Sequence, residues 1–203
     1  MNKILIKTII VLFSFLCSFS LFSQGGPPTG APLGDYLGLY LEEIDNTSGS
    51  FTNGEKTYRL YAELSAGATL NMIFGDETRP FSIVTTTTFS NQDLFGTHAN
   101  LQGEVNDGAF SFMPALAYDT WAAIGDSYSD IPSTVGDVGF DLTAGIIISG
   151  SSWTFGGTLN SDAAIYRVGT DPLCIPDANG RVLLGQFTTD GDLSGVINVS
   201  GIN

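Results

Sequence analysis

Between residues 57 and 64 the chain reads TYRLYAEL, in which Tyr58, Leu60, Ala62 and Leu64 alternate with Thr57, Arg59, Tyr61 and Glu63. A period of two puts every second side chain on the same side of an extended backbone, so one face meets an apolar core and the other meets solvent. Residues 37–42 follow the same rule, with Leu37, Leu39 and Leu41 on one face and Gly38, Tyr40 and Glu42 on the other. A 3.6-residue period persists nowhere for a useful length, and the 25 glycines would weaken any helix interior that they entered.

The rest of the chain repeats this grammar. After Ser65-Ala66-Gly67, the residues Leu70, Met72 and Phe74 alternate with Thr69, Asn71 and Ile73, which predicts a hairpin with 57–64. β-branched Ile83, Val84 and Thr85 to Thr88 mark a strand over 81–89, and further strands are expected near 117–124, 139–148, 152–158 and 163–168. Residues 182–188 and 193–199, on either side of Asp190-Gly191, predict a second hairpin. One short helix fits within 114–119. Roughly nine or ten short strands without long helices between them imply an all-β fold, an antiparallel β-sandwich or jelly-roll-like barrel with at most one short helix. No fixed-period repeat argues for a solenoid or propeller.

At the N-terminus Lys3 and Lys7 precede an apolar run over 9–19, and small Ser23 precedes Gln24. This pattern predicts a signal peptide at 1–23, a Gly/Pro-rich flexible lead-in at 24–34 and a single β-sandwich domain at 35–203. The run is serine-broken and shorter than the ~20 apolar residues that cross a bilayer, so no integral membrane segment is expected after cleavage. The expected address is secreted or extracellular, with the periplasm and the cell surface as related destinations. Cleavage would leave Lys56, Arg59, Arg79, Arg167 and Arg181 against 21 carboxylates, a formal charge of −16. Such acidity disfavours nucleic acid and anionic membranes as partners. Cleavage would also remove Cys17, leaving Cys174 without an intrachain partner; its neighbours Leu173 and Ile175 favour burial of the thiol.

TYRLYAEL, taken with GLYLEEIDNTSG upstream and MPALAYDTWAAIG and VLLGQFTTDGDLSGVINV downstream, resembles a β-rich module recurrent in secreted and cell-surface proteins of environmental bacteria. The resemblance spans most of 38–200 and resides chiefly in the order of these blocks. It implies an extracellular setting and brings no catalytic residues with it; extracellular polysaccharide or other cell-surface proteins are the partners expected for an exported acidic module without reactive groups.

Reactive chemistry is limited by supply. One histidine, His98, and one cysteine of the expected mature chain cannot assemble a zinc or copper site of His and Cys ligands. No cofactor is expected. Calcium is the one metal left open, through Asp190 and Asp192 or the pairs Asp126/Asp130 and Asp137/Asp141, although none matches an EF-hand loop and aspartate commonly serves turns. No serine stands in a G-x-S-x-G elbow, and His98 lies in a polar stretch. A carboxylate pair could hydrolyse a glycosidic bond, but no pair among 21 is singled out.

Binding asks for less than catalysis. Trp121, on the face of Asp119 and opposite Tyr118 and Ile124 in an expected 117–124 strand, would point outward if the latter two were core; reversed faces would bury it. Tyr61 and Arg59 on the outward side of 57–64 could extend such a platform, and Trp153 with Phe155 carries the same ambiguity. Three functions follow in order: a secreted non-catalytic structural or adhesive surface-interaction module, a carbohydrate-binding module using exposed aromatics, and a carboxylate-pair glycan hydrolase.

Overall fold

Alternating strands must bury their apolar face against a second layer, and without long helices among the described residues that layer is a second sheet. The computed structural model describes residues 22–24, 35–91, 101–128, 136–138, 150–155 and 163–202. The eleven strands among them are β1 Phe22–Gln24, β2 Tyr36–Ile44, β3 Lys56–Leu64, β4 Thr69–Gly75, β5 Phe81–Thr85, β6 Trp121–Ala122, β7 Gly136–Val138, β8 Ser152–Phe155, β9 Ala163–Tyr166, β10 Arg181–Thr189 and β11 Leu193–Ile202. They form a seven-stranded sheet, ordered β7-β9-β4-β11-β5-β8 with β1 beside β11, and a four-stranded sheet, ordered β2-β3-β10-β6. Apart from the parallel β1–β11 pair, the strand pairings are antiparallel, and the all-β sandwich is as expected. The short helix expected within 114–119 is a 3₁₀ turn, Pro114–Tyr118. β1 straddles the expected cleavage point; residues 1–21, the lead-in 25–34, His98 and the expected strand at 139–148 lie outside the described residues.

Leu60, Ala62 and Leu64 of β3 and Val182, Leu184 and Phe187 of β10 meet Leu70 and Ile73 of β4, Phe81 and Ile83 of β5, Trp153 of β8 and Ile197 of β11 between the sheets. Trp153 sits edge-on to Phe81 at 4.6 Å and reaches across the interior to Phe187 at 6.2 Å, so Trp153 is core. Cys174 is also buried there; its thiol donates to the Val168 carbonyl, and burial pushes its pKa up.

Both expected hairpins are corrected. β3 and β4 lie in different sheets, as do β10 and β11, so the turns at 65–68 and 190–192 are corners that carry the chain across the sandwich. β3 pairs with β10 in one sheet while β4 pairs with β11 in the other, which interlocks the two corners. A short turn between two alternating segments reads the same for a hairpin and for a corner. What decides here is that β3 already has β2 on one edge and β10 on the other.

Two bulges shift the expected faces. In β2 the register jumps between Tyr36↔Leu64 and Gly38↔Glu63, so Leu37 is the extra residue and is 65% exposed while Tyr36, Leu39 and Leu41 pack on the core. In β4 the jump between Leu70↔Gly201 and Met72↔Ser200 leaves Asn71 unmatched, and the core positions become Leu70 and Ile73. Phe74 therefore faces outward, where the Arg79 guanidinium lies 4.9 Å from its ring centre.

Candidate functional site

The outer face of the four-stranded sheet is divided in two. Over β10 and β6 it is roofed by 101–118, whose Val105, Ala109 and Leu116 pack on Trp121, Ala123 and Leu183, with Phe110, Met113, Tyr128 and Tyr61 at the margin. This second small core explains why both faces of β10 are buried. A bulge at Leu184, between Leu183↔Tyr61 and Gly185↔Leu60, resets the alternation, so that Leu184 and Phe187, three residues apart, both face the sandwich interior while Leu183 meets the roof. At Gly185 a Cβ would stand 2.8 Å from the Trp121 carbonyl oxygen and 3.1 Å from the Phe187 ring, so the close approach of β6 to β10 depends on glycine.

The four residues singled out as binding candidates converge here, but not as a sugar platform. Trp121 is 0% exposed. It does point away from the sandwich interior, with Ile124 on the opposite side in the main core, yet the roof covers it. The expected 117–124 strand is mostly 3₁₀ turn and loop, with only Trp121–Ala122 paired to β10, so alternation from Asp119 does not carry through. Asp119 is itself buried, and its backbone carbonyl accepts from Gln186 Nε2 at 2.9 Å. Arg59 leans over the Trp121 ring at 5.8 Å, donates from Nε to Gln186 Oε1 at 3.1 Å and reaches Asp126 at 3.6 Å. Asp126 is held in turn by Gln102, whose Oε1 accepts from Ser127 N.

Beyond the roof, toward the β2 edge, the face is partly open among the described residues, its side chains half-buried. Cross-strand register places Tyr40 beside Tyr61, Glu42 beside Arg59, and Glu63 beside Arg181. The Tyr40 and Tyr61 rings are 6.2 Å apart and tilted by 50°. Arg181 lays its guanidinium carbon 3.4 Å from the centre of the Tyr40 ring while Nε donates to Glu63 Oε1 at 3.1 Å. The Tyr61 hydroxyl donates to Glu42 Oε2 at 3.1 Å. Burial, with help from the Glu42 charge, raises the Tyr61 pKa and keeps that hydroxyl protonated. Each polar group is thus fixed by a neighbour, an arrangement suited to presenting a preformed surface.

Glu42 lies opposite Arg59, and Glu63 is four residues further along β3, a displacement of roughly 13 Å at the usual strand rise. Elsewhere, Asp190 and Asp192 are exposed at the β10–β11 corner, where Asp192 N donates to Thr86 Oγ1 at 2.9 Å and Thr86 N to the Asp192 carbonyl at 3.1 Å. Among the described residues no three His, Cys, Asp or Glu side chains gather as a metal site, and no helix is long and apolar enough to cross a membrane.

Tyr40 and Arg181 were not singled out from the sequence. Tyr40 carried a signal in its alternation with the leucines of β2. Arg181 carried none, because its place beside Glu63 depends on the pairing of strands more than a hundred residues apart. No protein-family model, curated protein or solved structure matches the chain.

Proposed function

We propose that the chain is an exported, non-catalytic β-sandwich module that contacts extracellular surfaces through the partly open half of the four-stranded sheet's outer face. The address comes from the 1–23 leader pattern. The observation that carries the contact role is the lattice of Tyr40, Arg181, Glu63, Tyr61 and Glu42, in which aromatic and charged groups are held in place before any partner arrives. The same mutual satisfaction speaks against catalysis, since a nucleophile or general base needs a proton-transfer partner aimed at substrate, and these groups are aimed at one another.

Extracellular polysaccharide is the second reading, favoured specifically by the tyrosine pair, because rings at the sheet surface beside fixed hydrogen-bonding groups are what a sugar face requires. A panel of immobilised polysaccharides and protein-coated surfaces tests both. Retention on a polysaccharide that falls about tenfold in Tyr40→Ala, some 1.4 kcal/mol, supports the glycan reading. Retention on protein surfaces alone, with the same sensitivity, supports protein adhesion. Binding that ignores Tyr40 and Glu42→Gln removes this face from consideration.

A further inference from the structure

The chain contains two Asn-Gly steps, Asn53-Gly54 and Asn179-Gly180, and the fold treats them differently. We propose that Asn53 is a self-modification site, converted by water to aspartate and isoaspartate on the folded protein, while Asn179 is protected. In this reaction the deprotonated main-chain nitrogen of the following glycine attacks the asparagine Cγ. A C–N bond forms, the Cγ–Nδ2 bond breaks, and ammonia leaves with a proton from solvent. The resulting succinimide is opened by one water at either carbonyl, giving aspartate or its main-chain-lengthened isomer. The only co-reactant is water.

Attack needs a glycine nitrogen that can leave its present environment and swing onto the side chain. Gly54 is exposed, adopts φ +82°, and its N–H has no acceptor among the described residues. Asn53 is exposed too, tethered among the described residues by donation of its N to Glu55 Oε2 at 2.9 Å and of Nδ2 to Glu55 Oε1 at 3.2 Å. Gly180 has similar backbone geometry, φ +77°, but is anchored on both sides. Its N donates to the Asp177 carbonyl at 2.9 Å, and its carbonyl accepts from Leu64 N at 2.8 Å. Reaction at Asn179 must first break the turn that enters β10, whereas reaction at Asn53 disturbs only a surface loop between β2 and β3. The product adds a carboxylate next to Glu55 and replaces the Nδ2 donor that Glu55 now accepts from.

Peptide mapping by mass spectrometry of the full chain, aged at mildly alkaline pH, reads both sites in one sample. Conversion at Asn53 is expected to run at least about five-fold faster than at Asn179, the equivalent of one hydrogen bond of about 1 kcal/mol, and this ratio should collapse toward unity in concentrated urea. Equal native rates, faster conversion at Asn179, or a ratio that survives denaturation would each overturn the proposal. Asn53→Gln serves as the blank: it should abolish the fast phase and leave the slow one.

Discussion

Arg181 spans two strands at once, stacked at 3.4 Å on Tyr40 of β2 and bonded at 3.1 Å to Glu63 of β3. Only a flat cation with several donors can do both, and an ammonium on a flexible stem cannot. Arg181→Lys is therefore expected to leave the thermal midpoint close to that of the parent chain while releasing the Tyr40 ring. The ring resonances of Tyr40 should shift and broaden in NMR spectra. Unchanged resonances would show that the stack does not hold in solution.

Trp121 fills the small core under the roof, fully buried, with Tyr128 edge-on at 6.3 Å. Truncating so large a side chain removes its transfer energy and leaves a cavity, so Trp121→Ala should cost about 3–5 kcal/mol in urea unfolding. In the parent chain the tryptophan emission should resist soluble quenchers, since Trp153 is buried as well. A cost below ~1 kcal/mol would mean that 101–118 does not pack on Trp121 and the sheet.

Gly185 pairs with Ala122 of β6, and Gly185→Ala forces a Cβ to within 2.8 Å of the Trp121 carbonyl oxygen. Backbone cannot yield as a flexible side chain can. A loss of about 1–3 kcal/mol is expected, as for other overpacked sites, with the largest changes in amide hydrogen exchange at Trp121 and Ala122. Gly108, where a Cβ would meet only the side-chain oxygen of Asn106 at 3.3 Å, is the comparison site for steric crowding.

These residues also mark what could be read in advance. Fold class was legible because Leu60, Ala62 and Leu64 alternate so regularly that only a half-buried strand satisfies them. The corners at 65–68 and 190–192 were not, because a local turn carries no information about which sheet the next strand joins. The bulges at Leu37 and Asn71 were hidden for a similar reason: each is defined by a partner strand. Of the binding candidates, Arg59 and Tyr61 were placed on the correct face, while Trp121 shares that face and is still buried. A roof contributed by 101–118, a stretch without strand periodicity, is invisible to a pattern of alternation.

The acid limb of stability should carry the signature of Asp76. Its carboxylate pairs with Arg79, and that hydrogen bond, assisted by Thr78, lowers its pKa from 3.8 to about 2. A folded-state pKa below the unfolded one gives stability that is complete above the unfolded value and disappears as pH falls toward 2. The turn it holds leads to Asn198, whose Nδ2 donates to the carbonyls of Phe74 and Arg79. In Asp76→Asn the urea midpoint should vary less between about pH 4 and pH 2 than in the parent chain. Identical slopes would remove Asp76 as a contributor.

The alkaline limb runs in the opposite direction, through Tyr36. Burial first, then the charge of Glu63, raises its pKa from 10.0 to about 12. The unfolded phenol ionises near 10 while the folded one stays neutral, so this contribution is complete below pH 10 and is lost as pH rises through 12. A two-unit shift corresponds to about 2.7 kcal/mol at most, and partial solvent access reduces it to about 1–2 kcal/mol. Tyr36→Phe keeps the ring against the core beside Leu39 and removes the titrating group. It should flatten part of the alkaline decline and not all of it, because burial also raises the pKa of Tyr58, Tyr61 and Tyr128. Unfolding followed by circular dichroism from pH 9 to pH 12 decides the matter: an unchanged decline in the variant would assign the whole limb to the other tyrosines.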